Sequence, residues 1–206
     1  AEEFQSDQKL GRELRIRLRI SPDMPLIMTA AMFRPGAKFE SLSFLFRSLS
    51  HLNSENGDFR LLIAGDGQLK PEVEGLAHRL LPGKTIFAGA VTRSMMRHCY
   101  SAADIFAFPG IDESIGMVYL EAQACGVPVV ALNEHGAAQV VENGTTGLLV
   151  TGGDGGEEMA RAVGILIRDP ALRKQLGEHA REYIGEKRNL WKNYRVILRE
   201  LERSAR

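Results

Sequence analysis

Short apolar runs recur along the chain at Leu26–Met32, Phe59–Ala64, Thr85–Ala88, Ile105–Phe108, Val127–Leu132 and Gly147–Val150. Each run is short and does not alternate apolar with polar positions, the pattern of a strand covered on both faces. Between the runs, apolar residues return at helical spacing near residues 39–53, 68–80, 93–102, 115–125 and 136–142. Strand and helix in alternation predict an α/β fold, a doubly wound parallel sheet with C-terminal helices. The helical tail divides at Asp169-Pro170 into 156–168 and 170–185. A last helix is expected over 188–206, where Leu190, Trp191, Tyr194, Ile197, Leu198 and Leu201 share a face that needs cover. Upstream, Leu14-Arg15-Ile16-Arg17-Leu18-Arg19-Ile20 alternates cations with aliphatics. Residues 1–20 therefore read as a linker helix that closes before Ser21-Pro22, because the residue before a proline disfavours the helical region. Residues 21–206 remain as one domain.

Composition agrees with a single unit. The chain has 206 residues, 44% of them hydrophobic, ample for one full core and too few for two large domains. Its 26 basic and 26 acidic residues cancel. That balance gives no reason to expect nucleic acid or an anionic membrane as partner. Cys99 and Cys125 have neither metal-ligand spacing nor a disulfide framework and sit in apolar helical contexts. Buried free thiols in a reducing cytoplasm are expected. The first residues, Ala1-Glu2-Glu3-Phe4-Gln5, hold no apolar leader, and no run approaches the roughly 20 residues of a membrane span. Gly152-Gly153-Asp154-Gly155-Gly156 is expected to be a loop.

In open parallel sheets, ligands bind beyond the carboxyl ends of the strands. The segments found there are Phe33-Arg34-Pro35-Gly36-Ala37-Lys38, Gly65-Asp66-Gly67-Gln68, Gly89-Ala90-Val91, Pro109-Gly110-Ile111-Asp112-Glu113-Ser114-Ile115-Gly116 and Asn133-Glu134-His135-Gly136. Glycine in every one lets backbone approach a ligand closely. The first carries two cations, and Glu113 stands just before a helix whose leading amides, at Ile115, Gly116 and Met117, lack helical partners. A diphosphate flanked by sugar hydroxyls suits that combination. Cations take the phosphates and carboxylates take the hydroxyls.

The stretch from Phe108 to Val130 is the most informative. Glu113 and Glu121 stand eight positions apart, followed by Ala122-Gln123-Ala124-Cys125-Gly126-Val127-Pro128-Val129-Val130. This block resembles the donor domain of the family-4 retaining glycosyltransferases of GT-B architecture, the glycosyl transferases group 1. The resemblance extends through Ile63-Ala64-Gly65-Asp66-Gly67, Phe87-Ala88-Gly89 and Val141-Glu142-Asn143-Gly144-Thr145-Thr146-Gly147-Leu148-Leu149-Val150, and covers residues 20–206. It implies a Rossmann-like fold, one half of a two-domain enzyme. Residues 21–206 would bind a UDP- or GDP-sugar and a separate N-terminal domain would hold a saccharide, lipid or small-molecule acceptor. By the same resemblance Glu113 holds donor-sugar hydroxyls and Glu121 the ribose. Lys38 stabilises the departing phosphate, with Arg34 beside it. Gly65, Gly67, Ser114, Ile115, Gly116 and Met117 line the donor, and backbone at Ala90 and Val91 meets the base. No metal or other cofactor is implied. The complete enzyme is expected in the cytoplasm or peripheral at the inner membrane. These 206 residues alone are expected to bind donor without transferring sugar.

Two departures stand out. The family places an arginine at the end of the first strand, where this chain has Met32 or Phe33, and Gln139 stands where the family often has Glu. The first leaves a rival open, a nucleotide-sugar-binding module without turnover. A dinucleotide-binding oxidoreductase is a third possibility. Against it, Gly65-Asp66-Gly67 is followed by Lys70 where the fingerprint needs glycine, and no acidic residue was expected to end the second strand. Each residue also has a plainer reading. Glu113 could be a first-turn glutamate favoured by the helix dipole, Glu121 a structural ion-pair partner, and Arg34 and Lys38 solvated loop charges.

Overall fold

The computed structural model describes residues 7–52 and 58–187. Among them the elements run α1 (Gln8–Arg17), β1 (Leu26–Ala30), α2 (Ala37–Ser50), β2 (Arg60–Ala64), α3 (Lys70–Leu80), β3 (Thr85–Gly89), α4 (Arg93–Ala102), β4 (Ile105–Ala107), α5 (Met117–Ala124), β5 (Val129–Leu132), α6 (His135–Val140), β6 (Gly147–Val150), α7 (Glu157–Arg168) and α8 (Pro170–Lys187). All six strands pair parallel, in the order β3-β2-β1-β4-β5-β6. The chain winds outward from β1 to β3, returns to set β4 beside β1, and winds outward again to β6. The crevice at the carboxyl ends of β1 and β4 is therefore the topological switch point, the place where doubly wound sheets hold ligands.

Side chains of successive strand residues enter opposite layers. Ile27, Leu61, Ile63, Ile105 and Val130 pack beneath α2, α3 and α7. Leu26, Met28, Leu62, Phe106 and Val129 pack beneath α4, α5 and α6, with Ile184 of α8. Every residue of β1 is buried, as its unbroken apolar run predicts. That strand ends two residues earlier than the run suggests, because the chain turns at Met32, which is 56% exposed, and sends Phe33 into the α2 layer. Similar trimming moves other ends. The helix expected over 39–53 spans 37–50, that over 68–80 begins at Lys70, and that over 136–142 spans 135–140. The helix expected over 115–125 spans 117–124 because Gly116, with φ 74°, acts as its N-cap. Cys99 and Cys125 are buried free thiols, pushed up by burial to about 11 and about 12. The amphipathic stripe expected over 188–206 lies outside the described residues.

The charged N-terminal segment forms a helix ten residues long, not one that reaches Ser21. Asp7 caps its first turn through Lys9 and Leu10 N–H. It stops at Leu18 because Arg19 turns left-handed at φ 56°, with Ile20 N–H donating to Arg15 C=O and Arg19 N–H to Ile16 C=O. These two bonds form a Schellman closure, built on arginine where glycine would be less strained. The helix packs on α4, where a Cβ at Gly11 would collide with the Ser101 carbonyl. Arg15, 9% exposed, fastens it. Its guanidinium donates to the carbonyls of Ala102 and Met24 and pairs with Asp104 at 2.6 Å. Asp104 also accepts from Leu26 N–H at the start of β1. Arg15→Ala should lower stability by about 2 kcal/mol through these lost charge-assisted bonds. Urea unfolding measures this, and an unchanged midpoint would show that α1 contributes nothing to the fold.

Candidate donor site at the sheet switch point

The two loops that flank the crevice open differently structured helices. After β1 the chain runs to Gly36, which takes φ 79° and starts α2 without a side-chain cap. Lys38 is the second residue of that helix. After β4, Pro109 and Gly110 are buried and the chain folds into a turn closed by Glu113 N–H donating to Gly110 C=O at 3.0 Å. Gly110 has φ 76° and Asp112 φ 52°. A Cβ at Gly110 would fall 1.9 Å from the Tyr119 hydroxyl, so the turn needs glycine there. That hydroxyl donates to Phe108 C=O at 3.2 Å and wedges the loop from below. From the β5 side, Gly136 N–H donates to Glu113 C=O at 2.7 Å.

Lys38 and Glu113, 75 residues apart in sequence, meet across this crevice as an ion pair, with side chains 20% and 17% exposed. The ammonium lies 5.2 Å from the centre of the Phe108 ring. Burial raises the Glu113 pKa, but the Lys38 ammonium and the amides of Gly116 and Ile115 outweigh it, so the carboxyl sits below its ordinary range. Two of the helix-leading amides read from sequence as open, Ile115 and Gly116, thus face the Glu113 carboxylate. Gly116 N–H approaches it at 3.4 Å.

Glu121 lies one to two turns into α5, half-buried, and accepts from the Tyr100 hydroxyl of α4 at 3.0 Å. Burial, followed by the Glu121 charge, pushes the Tyr100 pKa well up, so it remains a donor. Ala90 and Val91 follow β3 and lead into α4, whose first turn is capped by the Thr92 hydroxyl accepting from Met95 N–H. Glu121 and Val91 therefore share the α4/α5 layer, while Lys38 stands on the α2 side. Ser114, Ile115 and Met117 are exposed at the mouth, Ile115 by 65% and Met117 by 51%.

The glycines at 65 and 67 lie where two loops pass closely. A Cβ at Gly65 would lie 2.0 Å from the Ala31 carbonyl oxygen, and one at Gly67 would lie 2.4 Å from that of Phe33. Together with Phe33 N–H donating to Asp66 C=O, these contacts lock the β1 and β2 loops. Arg34 is exposed in the loop before α2, and Met32 occupies the exposed place at the end of β1. Asp66 stands two residues beyond β2, so an acidic group is nearer that strand end than expected. Its carboxylate is engaged by Gly67 N–H and Lys70. Tyr100, Phe108, Tyr119 and Ser41 lie in the core behind Lys38, Glu113 and Glu121, a placement that their sequence contexts do not reveal. Among the described residues, no three His, Cys, Asp or Glu side chains cluster to hold a metal ion, and no helix is long and apolar enough to cross a membrane.

Residues 12–183 match the family described as glycosyl transferases group 1. The chain is 35% identical over 183 residues to D-inositol 3-phosphate glycosyltransferase of Xylanimonas cellulosilytica, covering 85% of this chain and 42% of that protein. It is 31% identical over 188 residues to the GDP-mannose-dependent alpha-(1-6)-phosphatidylinositol monomannoside mannosyltransferase of Mycolicibacterium smegmatis, covering 87% of this chain and 48% of that one. It thus spans less than half the length of these curated relatives. Among solved structures, sucrose-phosphate synthase from Thermosynechococcus elongatus is similar with a TM-score of 0.82 at 25% identity, over 99% of this chain and 50% of that chain. A family match across most of the sequence, carried on the corresponding parallel sheet, means that this chain belongs to the glycosyl transferases group 1 family.

Proposed function

We propose that this chain is the donor-binding half of a retaining glycosyltransferase and takes the nucleoside diphosphate of a UDP- or GDP-sugar in the β1/β4 crevice. The observation that carries the reading is the meeting of Lys38 and Glu113 at the switch point, one cation and one carboxylate at the mouths of two helices. Lys38 and the α2 and α5 amides would hold the diphosphate. The carboxylate of Glu113, already aimed into the crevice, would take hydroxyls of the sugar. Glu121 would accept from the ribose hydroxyls while Tyr100 holds its other side, and the base would lie near Ala90 and Val91. Transfer breaks the bond from the anomeric carbon to the diphosphate. Charge then develops on the leaving oxygen, where Lys38 and preorganised amides are most effective. No metal is assigned to that step. The acceptor, bound by a second domain, would approach the anomeric carbon on the face from which the diphosphate departs, so that the configuration is retained and the acceptor proton passes to the leaving phosphate oxygen.

Glu121→Ala should weaken UDP or GDP binding by about 1–2 kcal/mol, the scale of a charge-assisted hydrogen bond in a partly enclosed site. Calorimetric titration with UDP, GDP and NAD tests both the role and the class. Unchanged nucleotide affinity in the variant would make Glu121 only the partner of Tyr100, and tight NAD binding would favour the dinucleotide reading. A binding module without turnover is favoured by one observation, that neither Met32, exposed, nor Phe33, buried, supplies a cation just beyond β1.

A further inference from the structure

We infer that Ser41 is a positioning residue that sets the width of the switch-point crevice and so governs recognition of the diphosphate. The inference rests on the donor-site reading above. Ser41 is fully buried, three residues after Lys38 in the first turns of α2. Its hydroxyl donates to Ala37 C=O at 2.7 Å and accepts from Ile111 N–H at 3.0 Å. The first bond is ordinary for serine inside a helix. Ser48 makes it too, to Phe44 C=O at 2.9 Å. The second bond is of another kind, because it crosses from α2 to the β4 loop, 70 residues away in sequence.

Its partner amide sits at a special place. Ile111 lies between the left-handed residues Gly110 and Asp112, inside the turn that Glu113 N–H closes on Gly110 C=O. Asp112 occupies the turn position that demands positive φ, so the loop conformation is not the one its sequence prefers. Ser41, itself buried, gives the amide of that turn a fixed acceptor in the protein. One hydroxyl thereby ties the turn that carries Glu113 to the helix end that carries Lys38. The Lys38–Glu113 pair also spans this gap, but a bound diphosphate would claim its ammonium. The Ser41 clamp touches no ligand atom and would hold the two loops at the same separation with the site empty or filled.

The test compares wild type with Ser41→Ala and Ser41→Cys. Cysteine keeps the shape of serine and offers only a weak acceptor. Ser41→Ala is expected to weaken UDP binding about five- to tenfold, the scale of one hydrogen bond. UMP, which has no second phosphate to span the crevice, should lose less than about twofold by the same reasoning. Ser41→Cys should fall between wild type and Ser41→Ala for UDP. Equal losses for UDP and UMP, or none for either, would overturn the role. Hydrogen exchange of the Gly110–Gly116 loop in the ligand-free protein reads the clamp without any nucleotide. Faster exchange in Ser41→Ala is expected, and unchanged exchange would overturn the clamp. If wild type binds neither UDP nor GDP, the donor reading itself fails, a result distinct from a wild type that binds and a Ser41→Ala variant that binds as well.

Discussion

Lys38→Ala is expected to weaken UDP or GDP binding by about 3 kcal/mol, on the order of 100-fold, the upper range for a hydrogen bond to a charged group. The loss should be large because the substitution does two things. It removes the cation at the mouth of α2, and it leaves Glu113 without the partner that offsets its burial. An incoming diphosphate would then meet a carboxylate engaged only by the amides of Gly116 and Ile115, and like charges in that half-buried place repel strongly. Lys38→Ala combined with Glu113→Gln should therefore bind nucleotide better than Lys38→Ala alone, a coupling that a double-mutant cycle resolves. Calorimetry of the four proteins provides the measurement. Full affinity in Lys38→Ala would move the phosphates away from α2 and refute the assignment.

The second large effect concerns turnover. These 206 residues are expected to bind a donor nucleotide and transfer no sugar to an acceptor at an enzymatic rate. They form one sheet with one switch-point crevice among the described residues, and they span 42% of the D-inositol 3-phosphate relative and 48% of the mannosyltransferase. An acceptor held against the anomeric carbon contributes about 7 kcal/mol or more of barrier lowering, on the order of 10⁵-fold, and a donor site alone supplies none of it. The apolar mouth formed by Met32, Ile115 and Met117, each more than half exposed, would also leave the bond to be broken open to water. Incubation with labelled UDP- and GDP-sugars and a panel of saccharide and lipid acceptors tests this. Acceptor-dependent nucleotide release at an ordinary rate would show that one domain suffices.

Much of the fold could be read along the chain because buried parallel strands are continuous apolar runs, and six such runs separated by helical periods leave few alternatives. The ends of elements were harder to read. The β1 run continues through Met32 and Phe33, yet those side chains diverge, one to solvent and one to the core, and only the third dimension separates them. Arg15 shows the same limit. In an alternating Arg–aliphatic segment nothing distinguishes the one arginine that Asp104 and the carbonyls of Ala102, Pro22 and Met24 receive. At the candidate site, Glu113 and Lys38 stand out in the sequence as charges at helix starts after apolar runs, and Glu121, inside α5, only through the family resemblance. The glycines at 65 and 67 share that edge of the sheet, where they also allow close passage of one loop over another. Ser41 and Tyr100 had no signal, since a hydroxyl that supports another residue from within the core looks like any helical serine or tyrosine.

A nucleoside diphosphate is expected in the crevice between β1 and β4. A crystal structure of this chain grown with UDP or GDP should place the diphosphate against Lys38 at the N-termini of α2 and α5, with the ribose hydroxyls at Glu121. Nucleotide bound at any other place, with that crevice open and the Lys38–Glu113 pair undisturbed, would contradict it.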